Sequence, residues 1–590
     1  MNRHGRASGT ARYRHTCAIS KTHHVGADGY GTGARRSAPL SAPCGVQGEA
    51  PASAPGGAPA SAQVSSAPLR RRAVLRGGLL AAAGALLPLR PPAWRGPGST
   101  RAAAAVRGRR AEASAAPAPG LVRVGTLATT PSLDPLRGEG GSAVAAVFDA
   151  LTTISPGEHL VGAGLASSWR LLSPTVAELV IDDAAVFADG SAVRASDAAF
   201  SLLTALSAPS PLGELLSGLS SVEAVSPLQL RVTTATADPL LPRRLAAVPV
   251  VSEAAYTSVG SGDAPQLVGS GYYEMGSFTP GSSYQLYASS RSWKGPPATA
   301  GVRVEEAVTE DELLDGLSAG GLDVAEDLPL AALDSLAGRL PLEWSPPGSI
   351  VCIVLDSSSP PFGDRRVRRA ANLSIDAGRL ASGVFGGAAT VLAGQLAVPG
   401  CVGYDPALAA IEPDVTTARR LLGEAGFDAG LETVLAGPAS GSAVLTAIAA
   451  QLAEGGFRVA LELLDTTAWA GALRSPARYP MLLAELELAP LYDIGPSYAL
   501  LSGAGGGSPG TFGGAAFARL QREQAVELDP ARRAGLLAEM AALVHDELPV
   551  VPLVEQQWLY GLATGVSGLT TLGPTMELAR LAIPPPAGAS

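Results

Sequence analysis

The chain has 590 residues, 47% hydrophobic and 16% charged, which supplies apolar material for large cores and excludes a disordered polymer. Its net charge of −9 is unevenly spread: residues 1–115 hold 17 basic and three acidic residues, and the remainder carries a net −23. A body that acidic repels a phosphate backbone, so nucleic acid is excluded as its partner.

Residues 1–65 are rich in Gly, Ala, Ser and Pro without a sustained apolar period, and are expected to be a disordered extension. Residues 66–116 follow as an export signal with its processing region. Arg71 and Arg72 precede the hydrophobic pair Val74-Leu75 and the basic Arg76, which is the twin-arginine form. The Leu/Ala run behind them is too short and weak for a membrane span, and the small residues Ala113-Ser114-Ala115 suit cleavage. The expected route is therefore the twin-arginine translocase, to the periplasm or the outer face of the cell membrane. The pair lies far from Met1; a start at Val64 would give a short, ordinary basic region. No cysteine follows the apolar run, so a lipid anchor is not expected, and the protein is either released or held by an uncleaved signal.

Beyond the leader, short strand-like runs alternate with amphipathic helical stretches. LVRVGTL (121–127), VAELVIDD (176–183) and LQLRVTTA (228–235) alternate as strands do. SDAAFSLLTAL (196–206) has helical spacing with Ser196 as cap, and DVTTARRLLGEAGF (414–427) has Asp414 as cap and Gly426 as stop. AGLLAEMAALVHDEL (534–548) is a further amphipathic helix, with His545 near its C-terminus. The alternation predicts an α/β fold.

The sequence beyond the leader has two histidines, His159 and His545, and two cysteines, Cys352 and Cys401. No metal-ligand spacing, nucleophile elbow or phosphate loop is present, so no catalytic residue, metal or cofactor is expected. Export would permit a Cys352–Cys401 disulfide, while Cys352 inside the apolar run SIVCIVLD equally suits a buried free thiol.

Several segments, in order, resemble the family 5 extracellular solute-binding proteins of ABC importers, the oligopeptide, dipeptide and nickel binders. These are SLDP (132–135), VFDALTTI (147–154), LASSWRL (165–171) and FADGSAVRASDAAFSL (187–202), followed by GSGYYEM (269–275), SRSWKGPP (290–297), GGLDV (320–324) and PPFGDRRVRRAANLSID (360–376). The resemblance implies a two-lobed, periplasmic-binding-protein-like α/β fold of class II and the large peptide-binder type. Lobe 1 would span 121–348 with an inserted subdomain and lobe 2 would span 349–552, with 553–590 returning to lobe 1. The crossings are expected near Ser345–Ser349 and Pro549–Glu555. It further implies a binding protein that captures a peptide or similar small organic solute between the lobes and delivers it to an ABC permease and its ATPase. An exported α/β enzyme, or an extracellular sensor or interaction protein on the same scaffold, are the alternatives.

The family's amine-binding carboxylate maps to YPMLLAELELAPLYDIGPSYALL (479–501), where Leu486 stands near an expected tryptophan and Asp493 lies three residues before Pro496. Glu485, Glu487 and Asp493 are thus the candidate carboxylates, and Tyr272, Tyr273, Trp469 and Tyr492 the candidate cleft aromatics. Scarce histidine argues against nickel as the ligand.

Overall fold

The computed structural model describes residues 120–583 apart from 259–266, 329–332, 334–335, 337, 347, 503–511 and 513. The leader, with Arg71 and Arg72, lies outside the described residues, as do 584–590.

LVRVGT folds as the strand Leu121–Thr126 because its apolar residues alternate. Val122 and Val124 enter the core, while Arg123 points outward and donates to Asp323 through Nη2 and Nε, at 2.8 and 3.0 Å. This strand sits in a seven-stranded sheet, between Gly301–Glu305 and Val324–Glu326, both parallel to it. Ser283–Ala288 and Tyr273–Thr279 extend one side; Trp558–Leu562 and the edge strand Leu342–Ser345 extend the other. A four-stranded antiparallel sheet, in the order Ala166–Ser173, Val176–Ile181, Gln229–Thr234, Leu219–Ser226, joins the same hydrophobic core.

The helix Ala195–Ser207 packs on the four-stranded sheet through Ala198, Leu202 and Ala205. Its cap is Arg194 rather than the expected Ser196: the Asp197 carboxylate reaches back to accept the Arg194 backbone N–H at 2.9 Å, closing the turn one residue pair earlier. Gly190 in the preceding Asp-Gly turn has φ of 89°, which glycine adopts without a Cβ penalty, and Asp189 accepts from the Ser191 N–H at 2.8 Å.

The second main sheet has six strands in the order Ala389–Val391, Val550–Gln556, Ser349–Leu355, Met481–Glu487, Leu431–Pro438, Phe457–Leu464. Ser349–Leu355 is buried at every position because it is covered on both faces: Val351, Ile353 and Leu355 enter one core, Ile350, Cys352 and Val354 another. Cys352 and Cys401 are both free and buried. The flanking helices begin as their sequences require. Asp364 caps Arg365–Ser374, Asp414 caps Val415–Glu424, and Asp529 caps Pro530–Glu547, each accepting a first-turn N–H at 2.8–2.9 Å.

The result is a two-lobed α/β fold, one lobe built on the seven- and four-stranded sheets and the other on the six-stranded sheet. The chain passes between them after Ser345 and returns between Gln556 and Trp558. The return lies beyond the expected 549–555, because Val550–Gln556 is a continuous strand paired on both sides, with Ser349–Leu355 and Ala389–Val391. Among the described residues, no helix is long and apolar enough to cross a membrane.

Candidate ligand site at the junction of the lobes

The strand Met481–Glu487 runs antiparallel to Ser349–Leu355, pairing Glu485 with Val351 and Glu487 with Ser349. Glu485 and Glu487, two residues apart, therefore share one face of the sheet at the end beside the first crossing. Gly348 O fastens this end by accepting the N–H groups of Leu488 at 2.7 Å and Ala489 at 3.2 Å. Burial, then the charge of Glu485, raises the Glu487 carboxyl to about 7, although Glu487 is an exposed residue at the end of its strand, so water screens much of this effect. The Ser349 hydroxyl beside it is buried without a hydrogen-bond partner. Glu555, across from Ile350 on the neighbouring strand, is also raised to about 7 by burial. Glu485 and Glu487 on one face and Glu555 on the other make this strand end electronegative.

Asp493 has a different setting. Its side chain is 0% exposed and forms a bidentate ion pair with Arg533, at 2.5 and 2.8 Å. One of its oxygens also accepts the Gly495 N–H at 2.9 Å, and Arg533 donates onward to the Gln524 carbonyl and amide oxygens. Both oxygens of Asp493 are thus engaged inside the second lobe, where the pair ties its loop to the helix Pro530–Glu547.

The aromatic candidates also separate. Tyr273 is 1% exposed, with its hydroxyl 3.0 Å from the Thr299 hydroxyl, and belongs to the first-lobe core. Trp469 is 5% exposed in a small second-lobe core with Ala436, Leu464, Ala472, Tyr479 and Leu482, and its indole N–H donates to Leu483 O at 3.0 Å. Both side chains are packed within their own lobes. Tyr272 is half-buried with the Lys294 ammonium 3.9 Å from its ring centroid. Lys294 pairs with Asp149, which also accepts from the Trp293 indole at 3.0 Å and the Ser270 hydroxyl at 3.1 Å. One carboxylate thus ties VFDAL, GSGYYEM and SRSWKGPP together. The glycines of GSG are required there, since a Cβ on Gly269 or Gly271 would fall 1.9 or 2.4 Å from the carbonyl oxygens of Val147 or Ala146.

Tyr492 is 3% exposed and lies where the lobes meet, its ring stacked on first-lobe His159 with centroids 3.7 Å apart and planes 7° from parallel. Burial, and the nearby Arg243 charge, push the His159 pKa down and favour the neutral ring. Arg243, in the first-lobe helix Leu241–Ala246, donates to Leu491 O at 2.7 Å and His159 O at 2.9 Å. Nothing in the local sequence marked Arg243 or His159, because their partners lie far along the chain. Among the described residues, no group of three or more His, Cys, Asp or Glu could hold a metal ion.

These features define a two-lobed binding protein with an acidic strand end beside its crossing. The model of the bacterial extracellular solute-binding proteins, family 5 (middle region), matches residues 161–508, more than half of the chain, and the chain belongs to that family. It is 28% identical over 289 residues to the glutathione-binding protein GsiB of Pectobacterium atrosepticum, a match covering 47% of this chain and 56% of that protein. The chain thus spans about half the length of this curated relative. Among solved structures it resembles HbpA2 from Haemophilus parasuis, with TM-score 0.71, 18% identity, and 79% of this chain and 100% of that one covered. It also resembles the unliganded open form of the periplasmic murein tripeptide-binding protein MppA, with TM-score 0.68, 17% identity, and 80% and 99% covered. At these identities the structural likeness establishes the fold.

Proposed function

We propose that the protein is the extracytoplasmic solute receptor of an ABC importer, a binder rather than a catalyst, which captures a small peptide or peptide-like solute and presents it to a membrane permease and its ATPase. The observation that carries this reading is the family match over 161–508, which spans most of both lobes. The names of GsiB and MppA, a glutathione-binding and a murein tripeptide-binding protein, support small peptidic solutes as the class to try first.

The ligand's positive end is assigned to Glu485 and Glu487, with Tyr272 and Tyr492 as aromatic neighbours of the site. An ammonium beside Glu487 would offset the burial, and then the repulsion from Glu485, that disfavour its ionised form. Export by the twin-arginine translocase through Arg71 and Arg72 completes the reading, and places the receptor outside the cytoplasm.

Thermal unfolding of the purified protein with a dipeptide and tripeptide library, including glutathione, tests it. A ligand that binds the folded state must raise the melting temperature. Calorimetry with the best solute should then show Glu487→Gln weakening binding by about 30-fold or more. No shift with any peptide would remove the peptide reading; affinity equal to the parent's in both Glu485→Gln and Glu487→Gln would move the amine site elsewhere.

A further inference from the structure

Beside the first crossing, where a Cβ on Gly348 would fall 3.4 Å from the Tyr492 hydroxyl, the lobes also touch through a set of side-chain contacts. Arg243 sends one guanidinium nitrogen to Leu491 O in the second lobe, at 2.7 Å, and another to His159 O in its own lobe, at 2.9 Å. The His159 ring lies flat on Tyr492 at 3.7 Å. The turn carrying His159 also abuts Gly400 so closely that a Cβ there would fall 2.7 Å from Gly157 O and 2.9 Å from His159 Nδ1. Arg243 is 9% exposed, and its donors end on carbonyls while the neighbouring Asp493 is engaged by Arg533.

The backbone is shaped to this contact. His159 and Tyr492 both hold left-handed conformations, with φ of 51° and 48°. For residues other than glycine such conformations are uncommon, and they persist where the surroundings over-determine them. Two such residues, one from each lobe, meet face to face.

We propose that Arg243 and His159 form a ligand-independent clasp on Leu491 and Tyr492 that favours the lobe arrangement seen here over arrangements rotated about the crossings. Rotation would lengthen a 2.7 Å hydrogen bond and shear rings stacked at 3.7 Å, and both contacts weaken steeply with displacement. A contact made in one arrangement and lost in others shifts the population between them, and so scales the apparent affinity for any solute that needs one of them. The clasp concerns the two-lobed fold and does not depend on which solute is bound.

The test needs no ligand. Nitroxide labels would be placed on the full chain at Leu203→Cys and Leu463→Cys, exposed positions in the first and second lobes, with Cys17 and Cys44 replaced by serine. Cys352 and Cys401 are buried away from the label. The interspin distance distribution is then measured for the parent and for Arg243→Gln/His159→Asn, with circular dichroism as the check on folding. Asparagine tolerates the left-handed backbone at 159 while removing the ring. The clasp predicts a distribution that broadens and shifts its maximum, and a population of the original arrangement lower by roughly tenfold. If Arg243→Gln does not fold, His159→Asn alone carries the test, since the carbonyl that Arg243 binds is retained. A correctly folded variant with the parent's distribution would overturn the clasp. Failure to find a peptide ligand would instead bear only on the proposed function.

Discussion

Asp493 and Arg533, separated by 40 positions, meet in a bidentate ion pair whose side chains are 0% and 6% exposed. The pair fastens the loop after Met481–Glu487 to the helix Pro530–Glu547, so the segment carrying Tyr492 is set by an ion pair inside its own lobe.

Breaking that pair should therefore be a stability defect. Asp493→Asn leaves a buried guanidinium without its counter-charge, at a cost of about 3–5 kcal/mol. Urea unfolding checks this, and a stability within about 0.5 kcal/mol of the parent would contradict the anchoring role.

The raised carboxyls predict a pH dependence with a defined sign. Glu326, held at about 7 chiefly by burial, has an ordinary unfolded pKa, so the folded state binds its proton more tightly. Its contribution to stability is full below the unfolded pKa and is lost as pH rises through about 7. Glu326→Gln should consequently gain stability relative to the parent at pH 8 compared with pH 5. Denaturant titrations at both values measure it; a pH-independent difference would show that this carboxyl does not titrate in that range.

For binding, the sign at Glu487 is reversed. An ammonium pairs with the ionised carboxylate, whose population falls as pH drops through about 7. Affinity for an amine-bearing solute should weaken from pH 8 to pH 5 in the parent and lose much of that slope in Glu487→Gln. Calorimetry at the two pH values decides between this and a neutral ligand.

Trp469 gives a contrast within the second lobe. Trp469→Ala removes a large buried side chain and leaves Leu483 O without its indole donor, so about 3–5 kcal/mol of stability should be lost. Solute affinity at a temperature where the variant is folded should stay within about twofold, a difference of about 0.4 kcal/mol. A large loss of affinity there would return Trp469 to the ligand site.

Replacing Arg71 and Arg72 together by lysine should abolish export, since the twin-arginine pair is the feature read by its translocase. Fractionation of cells producing the variant measures this. Undiminished export would assign the leader to another route.

The sequence determined by itself whatever depends on local pattern. Alternation placed Leu121–Thr126, Val176–Ile181 and Gln229–Thr234, and helical spacing with an acidic cap placed Val415–Glu424, because side-chain periodicity and capping act within a few residues. Ordered short segments were sufficient to indicate the family. Tertiary structure decided the roles of the candidate site residues. Glu485 and Glu487 share a face because alternation requires it, but their place beside the crossing comes from pairing with a strand more than 130 residues earlier. Asp493 lay in the expected segment, and only the approach of Arg533 engages its carboxylate in a buried ion pair within the lobe. Arg243 reaches Leu491 across 248 positions, and no local pattern records such a contact. Hydrophobic periodicity specifies which face of an element is buried; which distant charge or ring meets it there is fixed when the sheets pair and the two lobes come together.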